Sequence, residues 1–292
     1  MPDPAPCGFL VLDKPAGLTS HGCVSRVRRA YGLRRVGHGG TLDPAVTGVL
    51  PIAVGPATRL LPYLAGDKTY RGVVRLGLTT STDDLEGEVL QHQPVPPLDQ
   101  ASLERALEPF RGAIQQRPPQ VSAVHVDGER AYARQRRGET LELAARSVTI
   151  HRLELLGWNQ PTAELELTVH CSAGTYIRAL ARDLGAALGC GGALARLRRL
   201  RALGFGLDQA VSLEALPQPL LDPLVALGHL PQQHLQADQW DSWRCGRALA
   251  ASQPHGPESV VAVLAPDGNL AGMARAVAGG LLQPKLVFDA AG

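Results

Sequence analysis

One carboxylate in the chain lies on a segment that is built like a rigid turn. Asp43 follows a glycine-rich loop at residues 37–40 and comes directly before Pro44. Pro44 has a fixed φ and biases Asp43 toward an extended conformation, while neighbouring glycines allow another backbone to come close. The pattern favours either a catalytic carboxylate or an ordinary Asx turn, which is where most Asp-Pro pairs belong.

Four further side chains have types that suit chemistry on a nucleic acid. Arg178 lies in the first turn of a predicted helix, where it is either the counterion of a buried carboxylate or a solvated helix-start residue. Tyr70 and Tyr176 are candidates for stacking on a base, although strand and helix tyrosines are more often part of a core. His38, within the glycine loop, either contacts RNA or is simply exposed.

Arginine is concentrated in this sequence. There are 29 lysines and arginines in total, but only Lys14, Lys68 and Lys285 are lysines. Arginine pairs bidentately with phosphate and stacks on bases, which suits RNA, although a GC-rich genome also favours it. Four arginines lie within residues 194–201, between leucines spaced three apart. That spacing predicts a helix with one apolar and one basic face, which is either a solvated face or the wall of a phosphate-binding groove.

The elements that must position these residues alternate between strands and helices. Short apolar runs and period-two alternation predict strands at 8–12, 70–78 and 164–171. Capping residues, apolar spacing and terminal glycines predict helices at about 20–31, at 101–110 and after Gly174-Thr175 up to Gly189. The fold class is therefore α/β in the broad sense, with strands and helices mixed along the chain.

The chain divides into a large basic part and a small acidic part. Residues 205–292 contain 4 basic and 8 acidic side chains, whereas the net charge of the whole chain is +2. Four prolines within 213–235 indicate a connector. Apolar runs at 260–264 and 284–288, the first followed by a Pro-Asp-Gly turn, predict a small β domain over 236–292.

Several classes of protein are disfavoured. The 5 cysteines are odd in number and scattered, with no Cys-x-x-Cys pair, which argues against a disulfide framework and a cysteine-built zinc site. No signal peptide and no apolar stretch of membrane-spanning length is visible. We therefore expect a cytoplasmic protein with no metal and no membrane contact.

Taken together, several segments resemble the bacterial tRNA pseudouridine-55 synthases, the TruB family. The order and spacing match across about residues 8–205, and the match is looser over the last 55 residues. The segments that carry the resemblance are Gly8-Phe9-Leu10-Val11-Leu12-Asp13-Lys14-Pro15, Val36-Gly37-His38-Gly39-Gly40-Thr41-Leu42-Asp43-Pro44, Thr47-Gly48-Val49-Leu50-Pro51, Lys68-Thr69-Tyr70, Ser172-Ala173-Gly174-Thr175-Tyr176-Ile177-Arg178 and Leu197-Arg198-Arg199-Leu200.

The resemblance implies a fold and an organisation. The fold is the pseudouridine synthase fold, a mostly antiparallel mixed sheet flanked by helices, with a small C-terminal PUA-like β domain. The catalytic domain then covers 1–212, the connector 213–235 and the PUA-like domain 236–292. The arginine-containing stretch at about 117–138 matches the family's RNA-gripping thumb insertion.

The resemblance also implies a reaction and a set of site residues. The uridine at position 55 of tRNA is isomerised to pseudouridine, without a cofactor, by a monomer that needs no protein partner. Asp43 matches the family's catalytic aspartate, and Arg178 matches the arginine that pairs with it. The residues that match contacts to the flipped nucleotide are His38, Tyr70, Tyr176 and Leu197. Lys14 and Pro15 match the structural turn beside the site.

Two other functions compete with this interpretation. A non-catalytic tRNA-binding or folding module of the same fold would need the RNA contacts but not Asp43 together with Arg178. A glycoside hydrolase of the carboxylate type usually has two acidic residues at its site, and no second carboxylate accompanies Asp43 in the matching motifs.

Overall fold

The computed structural model describes residues 6–122, 125–126, 129–130 and 143–288. The helices are α1 (Ser20–Tyr31), α2 (Gln100–Leu107), α3 (Ile177–Ala187) and α4 (Ala237–Arg244). The strands are β1 (Gly8–Lys14), β2 (Val36–His38), β3 (Thr47–Val54), β4 (Lys68–Leu76), β5 (Leu78–Thr80), β6 (Val89–His92), β7 (Gly112–Gln116), β8 (His125–Val126), β9 (Glu129–Arg130), β10 (Arg146–Asn159), β11 (Glu164–Cys171), β12 (Gly192–Ala202), β13 (Phe205–Gly206), β14 (Gln232–His234), β15 (Leu249–Ala250), β16 (Val260–Leu264), β17 (Leu270–Val277) and β18 (Leu281–Val287).

A large sheet forms the body of the molecule. Its strand order is β1-β3-β12-β4-β11-β10-β7, with β2 on the edge of β3 and β13 beside β12. Over the described residues, β3 and β12 run parallel and the other paired strands of this sheet run antiparallel. The predicted mostly antiparallel mixed sheet is therefore confirmed. The hairpin of β5 and β6 extends from the end of β4, after a turn at Gly77 with φ of 89°.

Helix α1 begins and ends where its sequence predicts. The Thr19 hydroxyl accepts a hydrogen bond of 2.9 Å from the Gly22 N–H, which satisfies one of the free donors at the helix start. Gly32 ends the helix with φ of 65°, a left-handed conformation in which a residue without Cβ is not strained. Val24 and Val27 bury the apolar face of the helix against the sheet.

The large sheet has an apolar core on each side, and the side chains of β1 point alternately into one core and the other. Leu10 and Leu12 pack into the larger core, which contains the buried faces of α1, α2 and α3. Phe9 and Val11 point to the opposite face and pack into the second core. Side chains on a strand alternate between faces, so a continuous apolar run is what a strand buried on both sides requires.

The helix predicted over residues 194–201 is wrong, because this segment lies within the strand β12. The strand pairs with β4 on one side and with β3 on the other, so it is central in the sheet. Irregularities in the pairing between Leu194 and Arg196 and between Arg199 and Arg201 add residues that change which side chains face inward. A leucine spacing of three is therefore compatible with a bulged strand, and tertiary pairing overrides local periodicity.

A second sheet lies at the C-terminal end, with strand order β14-β16-β17-β18-β15. The predicted strands at 260–264 and 284–288 are present as β16 and the end of β18, so the small β domain is confirmed. Its first strand, β14, falls inside the stretch predicted as the connector. Trp243 of α4 is fully buried against this sheet and donates from Nε1 to the Ala271 carbonyl over 3.0 Å.

The predicted thumb insertion at about 117–138 lies partly outside the described residues. Within it, the backbone is described at residues 117–122, 125–126 and 129–130, and the short strands β8 and β9 pair with one another. The insertion therefore stays a prediction, and so does the division into domains at residues 212 and 235.

Candidate active site

Asp43 lies on the loop that connects β2 to β3. Gly40 in this loop has φ of 85°, a conformation that favours glycine. The Val46 N–H donates to the Asp43 carbonyl over 3.1 Å, which closes a tight turn around Pro44. Leu42 is buried beneath the loop, whereas 48% of the Asp43 side chain is exposed. The carboxylate is therefore presented to solvent from an anchored backbone.

Arg178 is buried and points at this carboxylate. Its side chain is only 8% exposed, and Nη2 lies 3.2 Å from the Asp43 Oδ2. Nη1 also donates to the Thr82 carbonyl over 3.0 Å, and Nη2 to the Val121 carbonyl over 2.8 Å. A guanidinium whose two terminal nitrogens each donate to a backbone carbonyl has a fixed orientation. The alternative of a solvated helix-start residue is wrong, and the predicted proximity to Asp43 is observed.

A second carboxylate shares the same guanidinium, which the sequence motifs did not indicate. Asp84 Oδ2 lies 3.5 Å from Arg178 Nη1, and only 19% of the Asp84 side chain is exposed. Asp84 Oδ1 accepts from the Thr82 hydroxyl over 2.6 Å and from the Glu86 N–H over 3.1 Å. No second carboxylate accompanies Asp43 within the matching motifs, and Asp84 comes from outside them. The acid-rich turn at 83–87 is the signal that could have found it.

A cavity of about 570 Å³ opens in front of Asp43 and Arg178. This volume lies within the range of sites for small organic ligands. Leu194 and Leu197 of β12 form part of an apolar wall, and Val73 of β4 also lines the cavity. Gly72 permits this arrangement, because a Cβ there would lie 3.2 Å from the Leu197 Cδ1.

Charged side chains at the rim of the cavity are paired with one another. Arg71 Nε lies 2.7 Å from Glu166 Oε1, and Arg198 Nη2 lies 2.7 Å from Asp13 Oδ2. All four carry substantial exposed fractions, so these pairs contribute little to stability and remain free to rearrange. The cavity thus combines an apolar wall with nearby charged side chains whose ion pairs can be replaced by contacts to a ligand.

The other predicted nucleotide contacts do not all face this cavity. Leu197 lines it, but His38, Tyr70 and Tyr176 are not among its lining residues. Tyr70 is only 7% exposed and packs in the larger core, and its burial raises the pKa of the phenol. Tyr176 is half-buried, and its backbone N–H and carbonyl pair with the Gln116 side chain over 2.8 and 3.1 Å.

Lys14 is hydrogen-bonded to the loop that carries Asp43, and His38 precedes that loop at the end of β2. Lys14 is fully buried, and its Nζ donates to the carbonyls of Pro15, Leu18 and Pro44 over 2.8, 2.6 and 3.0 Å. Burial lowers the pKa of Lys14. Burial also lowers the pKa of His38, and the nearby Arg199 guanidinium lowers it further. Through the Pro44 carbonyl, Lys14 therefore ties the end of β1 to the loop that carries Asp43.

Comparison with known proteins finds related sequences over nearly the whole chain. The model of the TruB family pseudouridylate synthase N-terminal domain matches residues 28–177, and that of the tRNA pseudouridylate synthase B C-terminal domain matches residues 178–222. A tRNA pseudouridine synthase B from Parasynechococcus marenigrum (strain WH8102) is 64% identical, over 98% of this chain and 99% of its own. The chain belongs to the TruB family. A second relative of the same name, from Synechococcus sp. (strain WH7803), is 60% identical over 99% of both chains.

Two solved structures have the same fold as this chain. A chain of a Cbf5-Nop10-Gar1 complex superimposes with a TM-score of 0.74 at 25% identity, covering 96% of this chain and 84% of its own. A chain of an H/ACA RNP bound to a substrate RNA gives a TM-score of 0.75 at 24% identity, with the same coverage. The predicted pseudouridine synthase fold is thereby confirmed.

Among the residues that the structure describes, no helix is long and apolar enough to cross a membrane.

Proposed function

We propose that the chain isomerises a uridine of tRNA to pseudouridine, and that this uridine is the one at position 55. The observation that carries the proposal is the Asp43 carboxylate, held 3.2 Å from a buried arginine at the mouth of the cavity. Relatives with 64% and 60% identity over nearly the whole chain bear the name tRNA pseudouridine synthase B, which supports the same substrate class.

The reaction breaks the N1–C1′ bond of the uridine, rotates the base and forms a bond between C5 and C1′. N1 gains a proton and C5 loses one, so the product is an isomer and no redox cofactor is required. Asp43 acts at the sugar, either by adding to C1′ or by taking the C2′ proton. Arg178 holds the carboxylate in one orientation, since its guanidinium is itself anchored on two backbone carbonyls.

The target base must leave the helical stack before Asp43 reaches its sugar, and unstacking costs a few kcal/mol. We propose that the apolar wall of the cavity, including Leu197, replaces part of that stacking. Tyr70, Tyr176 and His38 are proposed contacts of the same nucleotide. Because Tyr70 is buried in the RNA-free protein, its contact requires a local rearrangement when RNA binds.

We further propose that the protein works in the cytoplasm as a monomer and without an obligatory protein partner. Its thiols support a reducing compartment, because in the described part of the chain Cys23, Cys171, Cys190 and Cys245 form no disulfides. The predicted thumb insertion and the basic catalytic part would supply the contacts to the tRNA arm.

The test is tritium release by the purified chain from an unmodified tRNA transcript that carries 5-tritiated uridine. We expect release of one tritium per tRNA. The matched substrate replaces uridine 55 with cytidine and keeps the other tritiated uridines, and it should release none. Release from both transcripts would contradict position 55, and release from neither would contradict the activity itself.

A further inference from the structure

The backbone on either side of Asp43 is held at alternate residues by buried side chains. The carbonyls of Gly40, Leu42 and Pro44 accept hydrogen bonds from Arg199, Ser20 and Lys14, respectively. The three donors are 0%, 2% and 0% exposed. They come from β12, α1 and β1, so three separate elements fix one short loop. Lys14 is one of the predicted site residues, whereas Arg199 and Ser20 are not.

Arg199 joins the loop to the strand that follows it. Its Nη2 donates to the Gly40 carbonyl over 3.0 Å and its Nε to the Val49 carbonyl over 2.7 Å. One planar guanidinium thus bridges a residue before Asp43 and a residue after it. The backbone of Arg199 also approaches Gly48 so closely that a Cβ there would lie 2.1 Å from the Arg199 carbonyl oxygen. The distance between loop and strand is therefore fixed by backbone as well as side chain.

Ser20 satisfies both backbone groups of the residue next to Asp43. Its hydroxyl accepts from the Leu42 N–H over 2.8 Å and donates to the Leu42 carbonyl over 3.1 Å. Leu42 is itself only 4% exposed, so water cannot easily replace the hydroxyl. A buried N–H and carbonyl that lose their partners carry the full penalty of desolvation.

Buried polar groups concentrate around this loop. Among the described residues, four of the buried polar or charged side chains contact residues 40–44 directly: Lys14, Ser20, Arg178 and Arg199. Each of the four donates to a backbone carbonyl, although the Nη1 of Arg199 has no hydrogen-bond partner. Burial of a polar group is unfavourable unless hydrogen bonds compensate for it, and a hydrogen-bonded network makes a segment rigid. The network is therefore best explained by a need to keep the loop in one position.

We propose that Arg199 and Ser20 are positioning residues for Asp43, which set where its carboxylate lies relative to the sugar of the bound uridine. Neither side chain lines the cavity. Arg178 orients the end of the Asp43 side chain, while Arg199 and Ser20 fix the backbone from which it extends. Displacement of a catalytic group by about 1 Å is enough to slow a reaction about a hundredfold. The proposal rests on the proposed function.

The test uses the full chain and single-turnover kinetics with excess enzyme and 5-tritiated tRNA. Ser20→Ala removes the hydroxyl, and Ser25→Ala is the matched control, because Ser25 lies on the same helix and its hydroxyl donates to the His21 carbonyl within that helix. We expect the rate constant of Ser20→Ala to fall between about tenfold and a hundredfold with full reaction amplitude. Its Kd for tRNA should stay within about threefold of wild type, and Ser25→Ala should match wild type.

The rate constant distinguishes positioning from mere stabilisation. With enzyme in large excess, a variant that only loses stability still converts all of the tRNA at the wild-type rate constant, and that result for Ser20→Ala would overturn the proposal. So would equal rate constants for Ser20→Ala and Ser25→Ala, or a loss of tRNA affinity as large as the loss of rate. An inactive wild type would instead contradict the proposed function. Arg199→Lys keeps the charge but loses the planar fork whose Nε and Nη2 donate to the Val49 and Gly40 carbonyls, and it should show the same fall in rate constant at full amplitude.

Discussion

The Asp43 carboxylate and the Arg178 guanidinium lie 3.2 Å apart, although one side chain is 48% exposed and the other only 8%. The arginine therefore depends on the protein for its partners, whereas the aspartate remains open to a ligand. We therefore expect different effects from the two residues. Loss of Asp43 removes the carboxylate that reacts, whereas loss of Arg178 also leaves buried groups without partners.

Asp43→Asn should abolish isomerisation while the tRNA affinity changes by less than about tenfold, or about 1.4 kcal/mol. Asparagine keeps the size of the side chain but can neither add to C1′ nor accept the C2′ proton as a carboxylate does. Tritium release and filter binding with the same transcript would measure the two properties. Appreciable turnover by this variant would rule out Asp43 as the catalytic residue.

Arg178→Met should be nearly inactive, and Arg178→Lys should retain partial activity. Methionine fills much of the space but leaves the carbonyls of Thr82 and Val121 without donors, which lowers the free energy of unfolding by about 1–3 kcal/mol. Lysine keeps the charge but not the planar fork. Single-turnover rates and urea unfolding of both variants provide the measurement. Wild-type rates for Arg178→Met would show that the arginine has only a packing role.

Asp84→Asn should slow single turnover by roughly tenfold without preventing folding. The change keeps the acceptor that binds Thr82 and Glu86 but removes the charge near Arg178, so the guanidinium is no longer held between two carboxylates. Glu88→Gln on the same hairpin is the control, since Glu88 is exposed and does not line the cavity. Identical rates for the two variants would argue against a role of Asp84 in orienting Arg178.

Activity should be unchanged in excess chelator when the substrate is a small, stably folded T-arm stem-loop. The reaction is an isomerisation, and the described residues contain no group of three or more His, Cys, Asp or Glu side chains that could hold a metal ion. The measurement is the tritium-release rate with and without chelator. A loss of activity that only added Zn²⁺ restores would contradict the expectation.

His38 should make the fold less stable as the pH falls below 6.5. Its pKa in the folded protein lies below the ordinary value of 6.5, so the unfolded chain binds the proton more readily. Stability is therefore full above pH 6.5 and declines below it, by at most about 1.4 kcal/mol per pH unit. Urea unfolding between pH 7 and 5 should show a smaller decline for His38→Gln than for wild type. His92→Gln, on the exposed strand β6, is the control and should decline like wild type.

Local chemistry explains which parts of the fold could be predicted. Thr19 and Gly32 marked the ends of α1 because a cap and a left-handed residue are properties of a few neighbouring positions. The strand at β12 could not be found in this way, because its pairing with β3 and β4 depends on residues far along the chain. Asp84 was missed for the same reason, since it meets Arg178 across 94 positions of sequence only in the folded chain.

The second core also affects how truncation experiments should be interpreted. Phe9 and Phe205 of the large sheet pack in one cluster with Met273 and Leu286 of the C-terminal sheet. Deleting the C-terminal strands would therefore expose aromatic surface on the back of the large sheet, and such a shortened chain would tend to aggregate. An inactive truncation would then report on the loss of a shared interior, and it would say nothing about how strongly the C-terminal strands grip tRNA.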